Sequence, residues 1–149
     1  MANVYPIWWS NTITIFNKYE NPQTQLIKWY KTIVNGAYWK NIGNKIMIDD
    51  VTLETNNIIC RIRKDDRFLE KYEWVKKPND EMANYFTLGK GDIIVKGEVD
   101  DIIDEYTSGK RATDIIAKYK DLQGCMEIDK VTIDSGIGLG NEHYYVKGV

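Results

Sequence analysis

Cysteine and histidine are scarce in this chain: its 149 residues hold two Cys and one His. Cys60 and Cys125 stand far apart, with no C-x-x-C or H-x-H spacing near them. Two cysteines make no disulfide framework, and a metal site has no ligand pattern to build on, so no metal or other cofactor is expected. A single Cys60–Cys125 bond stays open, but two reduced, partly buried thiols in a cytoplasmic protein are the expectation. His143 alone spells no catalytic triad, which also needs a nucleophile and an orienting acid. It reads as a strand histidine satisfied by a neighbour.

An excess of positive charge is also missing. Lys and Arg total 20 against 22 Asp and Glu, a net charge of −2. Residues 1–75 carry 10 basic and 8 acidic side chains, and residues 76–149 carry 10 and 14. General DNA binding rests on counterion release by clustered cations, and a weakly acidic second half argues against it. No apolar run is long enough to span a bilayer. The opening MANVYPIWWSNTITIF lacks the basic n-region and long apolar core of a signal peptide.

What the chain has in quantity is β-branched and aromatic residues in short alternating runs. Hydrophobic residues make up 43% and charged ones 28%, a globular balance, and the length suits one domain over residues 1–149. TITIFNKY (12–19) has period 2 and predicts a strand with Ile13 and Ile15 on one face. Asn21-Pro22 is a turn signal, and QLIKWYKTIV (25–34) predicts a strand pairing back as a hairpin. Asn35-Gly36 permits a bend or bulge, with AYWKNI (37–42) continuing extended. Residues 44–56 are polar and weakly periodic and read as a loop excursion with room for a short hairpin. NIICRIR (57–63) predicts a strand with Ile58, Cys60 and Ile62 on one side. Residues 64–86 read equally as a short helix or a strand. KRATDIIAKYKD predicts the one convincing helix, about residues 110–120, with Ala112, Ile115, Ile116 and Tyr119 on one face and Thr107, Ser108 or Thr113 near its start. EIDKVTID (127–134) and EHYYVKGV (142–149) predict the last strands. The fold class is mainly β, a β-rich α+β arrangement: a small antiparallel barrel or sandwich with one short helix and long loops.

Two glycine-bearing stretches invite a ligand reading. A phosphate loop needs a helix opening directly after it, so that backbone N–H groups and the helix dipole meet the anion. Gly89-Lys90-Gly91-Asp92 is followed by the apolar strand Ile93-Ile94-Val95 instead, so its glycines read as a tight turn. That strand predicts Ile93 and Val95 toward the core and Ile94 toward the helix or a neighbouring subunit. Ser135 to Gly140 lies between two strands and reads as a hairpin tip. The acidic cluster Asp100, Asp101, Asp104 and Glu105 lacks the ligand order of a calcium loop and reads as a solvated or interface-facing segment.

The aromatic residues carry more weight. Five Trp and ten Tyr include Trp8-Trp9, Trp29-Tyr30, Tyr38-Trp39 and Tyr144-Tyr145. Neighbours in a strand point to opposite faces, so each pair turns one ring outward, where large aromatics are typical of interfaces. Trp8, Trp9, Trp29, Trp39, Tyr144 and Tyr145 are the candidate interface residues.

TITIFNKYENP, Tyr38-Trp39, GDIIVKG (91–97), the helix ending KYKD (118–121) and the closing HYYVKG (143–148) occur in an order that resembles a family of small proteins from the structural gene cassettes of tailed bacteriophages of Gram-positive hosts. That family shows versions of "tLYNKY-dp", "gV-We", "GD-iVkG", "KKYDD" and "HW-V-G". Here the closing His-Trp is His143-Tyr144, and residues 44–56 do not match. The resemblance implies a virion structural protein of the head–tail connector or head-closure (stopper) class, without enzyme activity or cofactor. A tail terminator or tail-completion protein is the alternative, and a small-ligand-binding barrel a more distant one. It further implies a homo-oligomeric ring, six- or twelve-fold by analogy, that is assembled in the host cytoplasm and placed in the neck of the virion. Its partners there would be portal-adaptor and tail proteins, with packaged DNA nearby and no membrane. Asp100, Asp101 and Asp104 would suit a channel wall that lets DNA slide.

Overall fold

A computed structural model describes residues 5–134 and 142–149, and the side chains of all of these except 43–46 and 52–56. Six strands form a closed antiparallel barrel: β1 (Asn11–Glu20), β2 (Ile27–Ile48), β3 (Val51–Arg63), β4 (Ile93–Lys96), β5 (Cys125–Asp134) and β6 (His143–Gly148). Around the barrel they run β1-β2-β3-β6-β5-β4, and β4 returns to β1. Of the barrel-or-sandwich expectation, the barrel is what forms. Closure removes the sheet edges over the barrel itself.

All six strands contribute to one buried cluster, which is therefore the barrel interior. It includes Ile13 and Ile15 from β1, Val34 and Trp39 from β2, Cys60 and Ile62 from β3, Ile94 from β4, Met126 from β5, and Tyr144 and Val146 from β6. A barrel of this size is filled by its own side chains. Both cysteines are free and buried, and burial pushes the Cys125 thiol up to about 12 and that of Cys60 higher still.

The chain order explains what covers the barrel. β3 and β4 lie opposite each other in the ring of strands, so residues 64–92 must cross one end of it. That crossing holds two one-turn helices, α1 (Lys71–Trp74) and α2 (Asn79–Met82). Their Trp74 and Met82 pack with Tyr30, while the rings of Tyr19 and Tyr30 meet Trp74 edge-on. The 64–86 stretch is thus a helical plug, and its helices are too short for a 3.6-residue period to show in sequence. β4 and β5 are neighbours, and their connection carries α3 (Ala112–Lys120) along the outside. Ile115 and Tyr119 of α3, with Ala112 and Ile116 beside them, pack on Phe16, Ile93, Val95 and Cys125. The helix face matches the sequence pattern, but the cap does not. The N-cap is Arg111, whose N–H is taken by Asp114 Oδ2 at 3.3 Å.

One further expectation is corrected. Ile94 faces the barrel interior, while Ile93 and Val95 face α3, the reverse of the sequence reading. Both faces of β4 are buried, so apolar character alone could not set its parity. Residues 44–56 form the hairpin that the loop-excursion reading left room for, and it is long: β2 and β3 pair without interruption from Tyr38↔Arg61 to Ile48↔Val51. Asp49 and Asp50 close it with φ of 47° and 63°, the two left-handed positions of a type I′ turn that matches strand twist. The bulge expected at Asn35-Gly36 is present: the β1–β2 register shifts there, and Gly36 has φ 79°. A Cβ on Gly36 would meet Arg63 Nε at 2.7 Å. The glycine-rich tip at 135–140 lies outside the described residues.

Candidate assembly surfaces

The arm is the first feature the barrel does not need. β3 pairs with β6 only from Ile58 onward, and β1 leaves β2 at Ala37. From Ile42↔Asn57 to Ile48↔Val51, seven residue pairs form a ribbon with no third strand beside it among the described residues. At about 3.3 Å per residue it reaches roughly 20 Å beyond the barrel. Its tip presents Met47, Ile48 and Val51 to solvent, Met47 being 74% exposed. A lone two-stranded ribbon is marginal in water, and apolar residues at its tip add nothing to the barrel core.

The second feature is the outer face of β2, β3 and β6. Inward Cys60 and Ile62 leave Arg61 and Arg63 outward, and inward Tyr144 leaves His143 and Tyr145 outward. The segment before β1 lies across this face. Trp9 stacks on Tyr5 (5.5 Å) and meets His143 edge-on (5.0 Å), and its carbonyl accepts from Arg63 Nη2 at 2.8 Å. Arg61 Nη1 donates to His143 Nε2 at 2.8 Å, and its guanidinium lies 4.7 Å from the Tyr145 ring. Trp8, 65% exposed, borders a hollow of about 350 Å³ with Tyr38, Lys40 and Ile59.

The third is a groove of about 780 Å³ between the outer face of β1–β2, the plug and the segment before α3. Leu26, Ile102 and Tyr106 are exposed in its walls, with half-buried Trp29 and two lysines, Lys28 and Lys31. The indole N–H of Trp29 and the hydroxyl of Tyr30 are fully buried, with no hydrogen-bond partner among the described residues.

The strand pairs Trp29-Tyr30, Tyr38-Trp39 and Tyr144-Tyr145 split by parity, whereas Trp8-Trp9 lies before β1, and half of the interface set is corrected. Trp39 and Tyr144 are in the barrel interior and Trp9 is buried against its outer face, each less than 10% exposed. Their surface is spent on the chain's own packing, whereas Trp8, Trp29 and Tyr145 keep surface outside. Among the acidic residues proposed for a channel, Asp101 accepts from Tyr119 Oη at 2.7 Å and pairs with Lys118 Nζ at 2.9 Å. The Tyr119 hydrogen bond, then Lys118, holds its carboxyl below the usual range. Asp104 Oδ1 accepts from the N–H groups of Tyr106 and Thr107. Two of the three carboxylates thus hold the loop together, and Asp100 is the exposed one.

The glycine stretch before β4 has an unsuspected centre. Asp92 is fully buried; its Oδ2 accepts from Asn17 Nδ2 and its Oδ1 from the N–H of Lys18. Lys71 Nζ lies 3.6 Å away. Desolvation raises the Asp92 pKa despite these partners. A buried carboxylate here opposes an anion, and the loop's own N–H groups are used: Gly91 N–H donates to Ile128 and that of Asp92 to Gly89. Among the described residues, no three His, Cys, Asp or Glu side chains cluster as metal ligands, and no helix is long and apolar enough to cross a membrane.

Sequence reading missed the arm tip and the Leu26–Ile102–Tyr106 groove. The available signal for the tip was Ile48-Asp49-Asp50-Val51, two turn-forming residues between β-branched ones. No curated protein and no solved structure matches the chain. A model described as a family of unknown function (DUF6751) matches residues 8–149, nearly the whole chain, and the protein belongs to that family.

Proposed function

We propose that this protein is a structural subunit that assembles with copies of itself, and that it serves as a head–tail connector ring protein of the head-closure or stopper kind. The freestanding β2–β3 arm carries the reading. A ribbon about 20 Å long, ending in exposed Met47, Ile48 and Val51, lowers its free energy by docking on another surface. The Trp8 face and the groove at Leu26 supply two further, chemically different patches. A ring needs such unlike patches, because each subunit meets the next through different faces. The role is non-catalytic: the buried polar groups at Asp92 tie the fold together.

The sequence resemblance is what supports the neck of a virion as the site of the ring, and a tail terminator or tail-completion protein would need the same unlike patches. The acidic segment enters this reading as a wall of the groove, with Asp100 alone available to face a channel. Negative-stain electron microscopy of the purified protein, alone and mixed with a bacteriophage portal protein, tests the proposal. Closed rings with a central opening are expected. Single-chain particles under both conditions would contradict it.

The groove favours one second reading, a small-ligand-binding barrel, since about 780 Å³ lined by apolar and aromatic groups is within the range of ligand sites. A ligand that co-purifies with single-chain particles would support that reading instead.

A further inference from the structure

We infer that the arm tip of one copy seats in the Leu26–Ile102–Tyr106 groove of a second copy; this rests on the self-assembly reading above and specifies its contact. Two observations point to it.

The first is complementarity. The tip offers Met47, Ile48 and Val51 as exposed apolar groups around Asp49 and Asp50. The groove offers exposed Leu26, Ile102 and Tyr106 with Lys28 and Lys31 at its edge. Apolar walls would take the apolar side chains, and Lys28 would face the turn carboxylates, Lys31 Nζ already donating to the Val99 carbonyl at 3.2 Å. Asp104, the groove's own carboxylate, is already held by the N–H groups of Tyr106 and Thr107.

The second is geometry. Leu26 immediately precedes β2, and Met47 lies near its far end. Leu26, Met47, Ile48 and Val51 are all exposed, so the tip does not fill the groove of its own chain. The contact is between copies and joins unlike patches, so it repeats from subunit to subunit and closes into a ring when the rotation allows.

Cysteine crosslinking tests this, since Cys60 and Cys125 are buried. The double variant Met47→Cys/Leu26→Cys, at two exposed positions, is oxidised with copper phenanthroline, and wild-type mass is followed by light scattering in parallel. The expected result is a ladder of covalent oligomers. A one-to-one mixture of the two single variants, one of them tagged, should give mainly the mixed dimer. Charge reversal gives a second readout: Lys28→Glu should weaken wild-type assembly at least tenfold, and Asp49→Lys should restore part of it in that background. If wild-type protein assembles but only Met47→Cys dimers with itself, or no disulfide forms, the arm–groove contact is wrong while the assembly reading stands. If wild-type protein stays single-chain at every concentration, both fall.

Discussion

Asp92 Oδ2 accepts a hydrogen bond from Asn17 Nδ2 at 3.0 Å, and neither side chain is exposed to solvent. The pair ties β1 to the turn that enters β4. The same Asn17 amide group donates to the Thr87 carbonyl at 2.6 Å, and its Oδ1 accepts from the Thr87 N–H. One asparagine and one aspartate thus fasten the plug to the barrel wall. Replacing Asp92 with Ala leaves the Lys18 N–H without that acceptor and should cost about 1–3 kcal/mol, read as a lower denaturation midpoint with an unchanged slope.

The same carboxylate makes a pH prediction. Its folded pKa is raised, chiefly by desolvation, so between the unfolded value of about 3.9 and the folded one the native state holds more protons than the unfolded state. The Asp92 contribution is therefore fully present below the unfolded value and shrinks as pH rises through the folded one. Measured against Asp92→Asn, which does not titrate there, the wild-type advantage should widen as pH falls from 7 toward 4. An advantage that narrows over that range would mean that the Lys71 and backbone partners outweigh burial.

Asp101 should behave in the opposite sense. The Tyr119 hydroxyl holds its pKa down, so its stabilising effect is present above about 3.9 and is lost as pH falls through the lowered value. Tyr119→Phe should cost about 1 kcal/mol at pH 7, and the gap to wild type should close in acid. Urea melts at pH 7 and pH 3 would show whether it does.

Much of the barrel was legible in sequence because apolar residues alternate with polar ones along β1 and β3, even though Thr14 of β1 is itself buried. Ile13 and Ile15, and Ile58, Cys60 and Ile62, took the faces their period assigned. Parity failed at Ile93-Ile94-Val95, where α3 buries the second face and three apolar residues in a row carry no phase. The arm was read as a loop excursion with room for a short hairpin because residues 44–56 are polar and weakly periodic, leaving little hydrophobic contrast to mark strands. Of the candidate interface residues, strand parity shows that one ring of each pair turns out, but not which one. That choice depends on register, and register is set by the bulge at Gly36 and by the turns.

The parity finding predicts unequal costs within β4. Ile94→Ala empties a site inside the filled barrel and should cost about 2–5 kcal/mol. Val95→Asp places a charge between β4 and α3 and should prevent stable folding. Both are checked by thermal melts, and an Ile94→Ala variant within 0.5 kcal/mol of wild type would refute the interior assignment.

Gly148 gives a sharper steric test. A Cβ there would sit 2.2 Å from the carbonyl oxygen of Glu127, across the β5–β6 contact that helps close the barrel. Gly148→Ala should cost at least about 1–3 kcal/mol. Gly89→Ala, whose added Cβ meets nothing nearer than 3.7 Å, and Lys90→Ala on the exposed turn should each stay within about 0.5 kcal/mol. A folded Lys90→Ala protein that had lost its function would return the turn to consideration as an anion site.

The most direct test of the central claim, that this barrel carries surfaces built for its own copies, is mass in solution. Light scattering on wild-type protein from micromolar to millimolar concentration, beside Met47→Asp, decides it. The prediction is a wild-type mass that rises well above the 17.4 kDa of one chain, with Met47→Asp folded but shifted toward 17.4 kDa. A wild-type mass of one chain across the whole range would contradict it.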